Sequence, residues 1–343
     1  MLYLALRYTL QCPQGTFKNY KVLRTARSAD VVRVQDDKGM LTLFSVAFLL
    51  IVVTGTAALA SYISRPPRKT YAVALARRLP TDPAELGCAF EAVRFTFDDG
   101  SSSPGWIIEG EKDTGPAVVV THGFGDSRYG ALTWVPLLAP YANRLIVYDL
   151  RAHGDSTARA GTAGLIEAQD LVQILYQSVM GTDRLIVLFG YSLGAGISIA
   201  TATDCPDDLR QRIAAVVGDG VYRRWFEPIA GRLWSKRWPP YPFVWLVASL
   251  FALRFGGMRA FDRAKRATRL DCPLLLLHGS EDPLCPPDSA RRIAESAPDG
   301  RLAVIRGGGH TDLAQVDPVH YADELRDVFD RIAAQPSGTG ELA

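Results

Sequence analysis

The run Leu185-Ile186-Val187-Leu188-Phe189-Gly190-Tyr191-Ser192-Leu193-Gly194-Ala195-Gly196-Ile197-Ser198-Ile199-Ala200 decides the reading of this chain. Five apolar residues in succession suit a strand covered on both faces, and the small residues after Gly194 suit a closely packed helix. Between them lies Gly-x-Ser-x-Gly, whose glycines let the backbone turn sharply and leave the Ser192 hydroxyl standing clear of the sheet. A serine at such a turn is placed for nucleophilic attack. The pattern alone is weak, so the rest of the chain has to supply the remaining chemistry.

Outward from this turn, strands and helices alternate. Candidate strands lie at 92–97, 104–109, 117–121, 145–149, 185–189, 213–218, 273–278 and 302–306. The first two read as an antiparallel start, and the middle ones are continuous apolar runs. Helical patterns occupy 128–139, 163–180, 193–204, 288–297 and 319–334, which predicts a mostly parallel eight-stranded sheet with helices on both faces. The stretch 221–268 interrupts the rhythm and holds four of the six tryptophans, Trp225, Trp234, Trp238 and Trp245. It reads as a small helical cap. Within it, Pro242 to Phe255 is strongly apolar but too short to cross a bilayer, so it either roofs the site or rests on a membrane, with core packing as the plain alternative.

A serine hydroxyl needs a base to take its proton, and a histidine needs an acid to fix its tautomer. The strand Leu274 to Leu277 leads into His278-Gly279-Ser280-Glu281-Asp282-Pro283, which projects Asp282 from a strand end as the candidate acid. The strand Leu302 to Ile305 runs into Gly307-Gly308-Gly309-His310, a flexible loop that can carry His310 over the serine as base. Asp219 also follows a strand and is the alternative acid, or else part of the pocket floor. In Thr121-His122-Gly123-Phe124-Gly125 the backbone can turn the Phe124 amide toward the nucleophile, and the Leu193 amide opens the next helix; together they form the candidate oxyanion hole. His122, His153 and His278 each precede glycine at a strand end and read as structural, and His320 as a surface residue. Cys285 reads as a small inert thiol, and Glu167 and Asp170 as residues facing solvent or anchoring loops.

The order Ser192, Asp282, His310 on this α/β pattern, with Asp149-Leu150-Arg151-Ala152-His153-Gly154-Asp155-Ser156 after the fourth strand, resembles the α/β-hydrolase superfamily over roughly residues 90 to 335, its membrane-anchored bacterial esterase-like branch above all. The resemblance implies an α/β-hydrolase fold and a serine hydrolase acting on a small-molecule or lipid-like acyl substrate without metal or cofactor. Esters come first; thioesters, small peptides and acyl transfer to an alcohol use the same residues. Dehalogenases and epoxide hydrolases of this fold carry an aspartate where this chain has Ser192, which disfavours them. The rival outside enzymes is a silent binding protein on the same scaffold.

The chain has 343 residues, is 48% apolar and carries a net charge of +2, so it can bury a large core. It shows no basic stripe or nucleic-acid motif, which sets nucleic-acid partners aside, and it names no protein partner. Cys12, Cys88, Cys205, Cys272 and Cys285 lack CxxC spacing, against a zinc site or a dense disulfide framework, and leave room for one disulfide at most.

Residues 41–63 contain no charge, which is long enough to span a hydrocarbon core of roughly 30 Å. This reads as a single transmembrane anchor. A cleaved signal with Ala58-Leu59-Ala60 at the cut is the main rival, and a buried core helix a lesser one. Residues 64–70 form a basic linker, 71–335 the hydrolase domain with its cap, and 336–343 a flexible tail. Basic residues flank the anchor on both sides, so the positive-inside rule does not orient it. The extension 1–40 has no clear periodicity, and Met40 abuts the apolar run as a candidate start of translation. N-terminal sequencing of protein made from its native locus is then expected to begin at Met40; peptides from residues 1–39 would refute it.

Overall fold

A computed structural model describes residues 5–11, 17–23, 37–255 and 262–334. The chain divides into two compact units, residues 1–57 and 58–343. The first contains an antiparallel pair, β1 (Ala5–Gln11) and β2 (Phe17–Leu23), in a region whose sequence shows no clear periodicity. Helix α1 (Asp37–Ser64) extends the expected apolar segment at both ends, and an 18-residue window within Gly39–Ser64 has a mean hydropathy of 2.4. Its length and composition allow it to cross a membrane. The division between units falls inside this helix, so its last two turns, from Ala58, belong with the larger unit.

The larger unit is built on eight strands: β3 (Phe90–Thr96), β4 (Ser102–Glu109), β5 (Ala117–Thr121), β6 (Arg144–Tyr148), β7 (Ile186–Tyr191), β8 (Ile213–Asp219), β9 (Leu274–Gly279) and β10 (Gly300–Ile305). Each lies within two residues of the stretch expected from the sequence. Their order is β10-β9-β8-β7-β5-β6-β4-β3, with β4 antiparallel to both its neighbours and the other pairs parallel. Every residue of β5, β7, β8 and β9 is buried, as expected for strands covered on both faces.

Helices α2 (Leu165–Ser178), α3 (Leu193–Asp204), α4 (Glu227–Ser235), α5 (Phe243–Phe255) and α6 (Pro287–Ser296) lie between the later strands, and α7 (Pro318–Ala333) follows the last one. In α7 only Tyr321, Leu325, Val328, Phe329 and Ile332 are buried, the stripe of a helix laid on a sheet. Helix α3 is buried nearly all round, which its Gly, Ala, Ser and Thr residues permit because small side chains allow close approach. The expected helix 128–139 is instead a chain of one-turn pieces, because Pro136 and Pro140 each start a new turn and withhold an N–H from the previous one. The cap contains α4, α5 and the short helix Arg263–Ala267; its residues 256–261 and the tail 336–343 lie outside the described residues. On α5 one face, with Val244, Val247, Ala248 and Phe251, is buried, while Trp245, Leu250 and Leu253 are exposed. Cys88, Cys205, Cys272 and Cys285 are free.

The basic linker is fastened to the larger unit: the Arg68 guanidinium donates to the carbonyls of Ser156 (2.6 Å) and Ala158 (2.5 Å), and Lys69 pairs with Asp126 at 2.9 Å. Deeper in, the fully buried Asp149 accepts from the backbone N–H of Arg128 (2.7 Å) and Asp155 (2.8 Å) and from the Arg128 guanidinium, which also meets Asp155 and lies over the Trp106 ring. Removing one partner of such a pair leaves an uncompensated buried charge. Asp149→Ala is therefore expected to cost about 3–5 kcal/mol of stability near neutral pH. Denaturant titration checks this, and a loss near zero would contradict it.

Candidate active site

Ser192 occupies the turn from β7 into α3 with φ 54° and ψ −112°, a left-handed conformation unusual for a residue with a side chain. Holding it there costs about 1–3 kcal/mol, which surrounding contacts must supply. One is its own N–H, which donates to the Asp219 carbonyl at 2.7 Å. Another is a close backbone approach: a Cβ on Gly194 would stand 1.9 Å from the Thr121 carbonyl oxygen, so only glycine fits. The turn thus presses the start of α3 against the end of β5.

Three side chains from three loops meet above this turn. The Ser192 hydroxyl lies 2.8 Å from His310 Nε2, and His310 Nδ1 lies 2.7 Å from Asp282 Oδ2. Asp282 Oδ1 accepts from the backbone N–H of Leu284 (2.8 Å) and Cys285 (3.0 Å). A carboxylate only accepts, so Nδ1 carries the proton and Nε2 is left to receive one from the serine. Burial alone would raise the Asp282 carboxyl, but the His310 hydrogen bond, with the two backbone donors, outweighs it and holds the group below its ordinary value.

The loop carrying His310, glycine-rich and legible as flexible, is pinned to the loop carrying Asp282. Ser280 N–H donates to Ile305 O, Glu281 N–H to Gly308 O and Gly307 N–H to Ser280 Oγ, all at 2.9–3.0 Å. A Cβ on Gly279 would come within 2.1 Å of the Gly308 carbonyl oxygen, so the two loops can zip together only with glycine there. Gly309 N–H is further tied to Asp312 at 2.7 Å.

Phe124 and Leu193 both border the cavity above Ser192. Leu193 is the first residue of α3, so its N–H has no acceptor within the helix and lies at the positive end of the helix dipole. His122 fixes the other loop, with Nδ1 against the Gly123 carbonyl at 2.8 Å and Nε2 accepting from Leu150 N–H at 2.9 Å. Burial pushes its pKa down to about 4, so it stays neutral. His153, donating to the Arg151 carbonyl, is pushed down to about 3 for the same reason, and its ring meets those of His122 and Phe124 edge-on.

Among the described residues no other candidate side chain hydrogen-bonds Ser192 or His310, and His278 Nε2 lies 3.3 Å from Asp282 Oδ2. Asp219 does not reach His310; it lies fully buried under the serine turn, with Oδ2 accepting from Tyr321 at 3.0 Å and Oδ1 without a partner among the described residues. Burial raises its pKa to about 8, and the nearby Asp282 charge adds to this. His278 donates from Nε2 to the Cys285 carbonyl at 2.9 Å, and burial lowers its pKa. His320, partly exposed, pairs with Glu324. Burial drives the Cys285 thiol well above its ordinary value, so it is a poor nucleophile. Asp282, Cys285 and His310 do bring ligand atoms within 4.8 Å of one another, but Asp282 and His310 already bond each other and the thiol resists ionisation, so the donor set suits proton relay better than a metal. Glu167 and Asp170 are buried rather than solvated. Glu167 accepts from Thr162 and Gly164, and Asp170 forms a two-pronged pair with Arg151 at 2.7 and 2.9 Å.

A cavity of about 530 Å³ opens over Ser192 and His310, within the range of small-molecule sites. Trp225, Ile229 and Leu233 of the cap form part of its wall. Sequence reasoning missed another part: Leu59, Tyr62 and Ile63 from the end of α1, with the Tyr62 ring 5.5 Å from that of Phe124. An apolar run of that length signals a membrane span, and nothing local marks its last turn as a wall.

Comparison with known proteins agrees with this architecture. A family model described as the alpha/beta hydrolase family matches residues 118–325. An uncharacterized protein of Bacillus subtilis, YqkD, is 25% identical over 255 residues, covering 71% of this chain and 82% of its own. RutD of Variovorax paradoxus, named a putative carbamate hydrolase, is 27% identical over 270 residues, covering 66% of this chain and 96% of its own. The solved structure of the Pyrococcus furiosus esterase Pf2001 superposes with a TM-score of 0.63 at 22% identity, over 78% of this chain and 98% of that one.

Asp219 yields a prediction independent of activity. Its pKa is about 8 in the fold and near the ordinary carboxyl value once unfolded, so its contribution to stability is full below about pH 4 and is lost as pH rises toward 8. Asp219→Asn removes that dependence. Melting of both proteins at pH 5 and pH 8 is expected to show the variant gaining on the parent at the higher pH; a gap that does not move would contradict the assignment.

Proposed function

We propose that this chain, which belongs to the alpha/beta hydrolase family, is a membrane-anchored serine esterase that works through an acyl-enzyme. One observation carries the reading: the continuous line from Ser192 Oγ through His310 to Asp282, at 2.8 and 2.7 Å. Ser192 Oγ attacks the ester carbonyl while His310 Nε2 takes its proton, and Asp282 stabilises the imidazolium. The amides of Leu193 and Phe124 receive the oxyanion. Collapse of the tetrahedral intermediate breaks the ester C–O bond, and His310 returns the proton to the departing alcohol. Water, deprotonated by His310, then attacks the acyl carbon, releases the carboxylic acid and restores Ser192.

The anchor reading is supported by the 26-residue apolar span of α1. Against a signal peptide cut after Ala60 stands the position of Leu59 in the cavity wall and of Ala60 against the cap cluster, since such a cut removes part of the site. The exposed Trp234, Trp238 and Trp245 suit the water–lipid boundary, where one end of an indole is apolar and the other wet.

The test is labelling of the detergent-solubilised full chain with a fluorophosphonate, alongside Ser192→Ala. The parent is expected to label and the variant not to, with ester turnover lowered at least about 10³-fold. Equal labelling of both proteins would remove Ser192 from the nucleophile's place.

A further inference from the structure

We propose that the ester opened here joins an alkyl acyl chain to an anionic head, and that Arg232 and Lys236 select the head. This rests on the esterase reading and adds to it the class of ester. The cavity is apolar around the serine, where Leu59, Ile63, Phe124, Trp225 and Ile229 supply surface for a hydrocarbon chain. Its character changes along α4. Ile229, Arg232 and Leu233 share one face of the helix, Lys236 is its C-cap residue, and all four line the cavity. Two cations, Arg232 in the last turn and Lys236 at the C-cap, thus stand beside the apolar Ile229 and Leu233 in the cavity lining.

Neither cation is neutralised. Among the described residues Arg232 and Lys236 have no ion-pair partner, and both are exposed, as groups at a cavity mouth are. The acid that shares the lining, Asp126, is already engaged by Lys69 at 2.9 Å and by the Tyr191 hydroxyl at 3.1 Å. Cations near a helix C-terminus complement the helix dipole, which explains their tolerance on α4. It does not explain why both turn toward the cavity that holds the serine. An ester with a phosphate or carboxylate on its alcohol side satisfies both ends at once, its chain against the apolar wall and its charge at the mouth.

The experiment compares kcat/KM of the full chain, in neutral detergent at low ionic strength, for monooctanoylglycerol, monooctanoylglycerol phosphate and the octanoyl ester of glycerate. The anionic esters are expected to exceed the neutral one by about tenfold, the scale of two exposed charge contacts, and the advantage should shrink in about 0.5 M salt. Preference for the phosphate ester alone would identify the head as phosphate, and preference for both would identify charge as the recognised feature. In Arg232→Gln/Lys236→Gln the ratio of anionic to neutral turnover is expected to fall to near one; because it is measured within one protein, it does not depend on how much of the variant folds. Equal turnover of all three esters by the parent, or a ratio unchanged in the double variant, overturns this assignment and leaves the esterase reading standing. No turnover of any ester together with no fluorophosphonate labelling overturns both.

Discussion

The contact between Gly194 and the Thr121 carbonyl is the constraint on which the rest of the site depends. With a Cβ position only 1.9 Å from that oxygen, α3 starts as close to β5 as two backbones can come. This closeness holds Ser192 in its left-handed conformation, because the chain has no longer route from β7 into the helix. It also sets the distance between the Leu193 amide and the loop that follows Thr121, where Phe124 lies. The candidate nucleophile and both candidate oxyanion donors are thus positioned by one steric fact, and the hydrogen bond from Ser192 N–H to Asp219 O closes the turn from the β8 side.

Around that turn the protein keeps two carboxyl groups in opposite states. Asp219 is fully buried and accepts from Tyr321, so desolvation prevails and holds its carboxyl well above the ordinary value. Asp282 has two backbone N–H donors and an imidazole, which together favour the charged form despite burial. The states are coupled: the charge on Asp282 helps to keep Asp219 neutral. Two ionised carboxylates beneath one serine would repel, and the environments push the pKa values apart so that only the one facing His310 carries charge.

Much of this was legible in the residues themselves. Continuous apolar runs with turn-forming ends located the middle strands of the sheet, because strands covered on both faces have no polar alternation to confuse them. Ser192, Asp282 and His310 stood out because each follows such a run at the strand end where loops converge. Interactions distant in sequence were not legible. The sequence leaves Asp170 either facing solvent or anchoring a loop, and only the arrival of Arg151, 19 residues away, makes it a buried anchor. Apolar spacing at 128–139 matched a helix, yet the local effect of Pro136 and Pro140 prevailed over it. Glycines around His310 signalled freedom, whereas in the fold they permit the close packing that removes it.

The roof of the site follows a different logic from its floor. The floor is fixed by the sheet: moving Ser192, His310 or Asp282 means moving a strand end. The roof comes from two segments that the sheet does not constrain, the end of α1 before the first sheet strand and the cap inserted after β8. Both contribute apolar side chains that pack in one cluster, with Ile63, Trp225, Phe226 and Phe251 among its buried members. Substitutions in either segment can therefore reshape the cavity without moving Ser192, His310 or Asp282, and the last residues of the long apolar helix α1 contribute to what the cavity can admit.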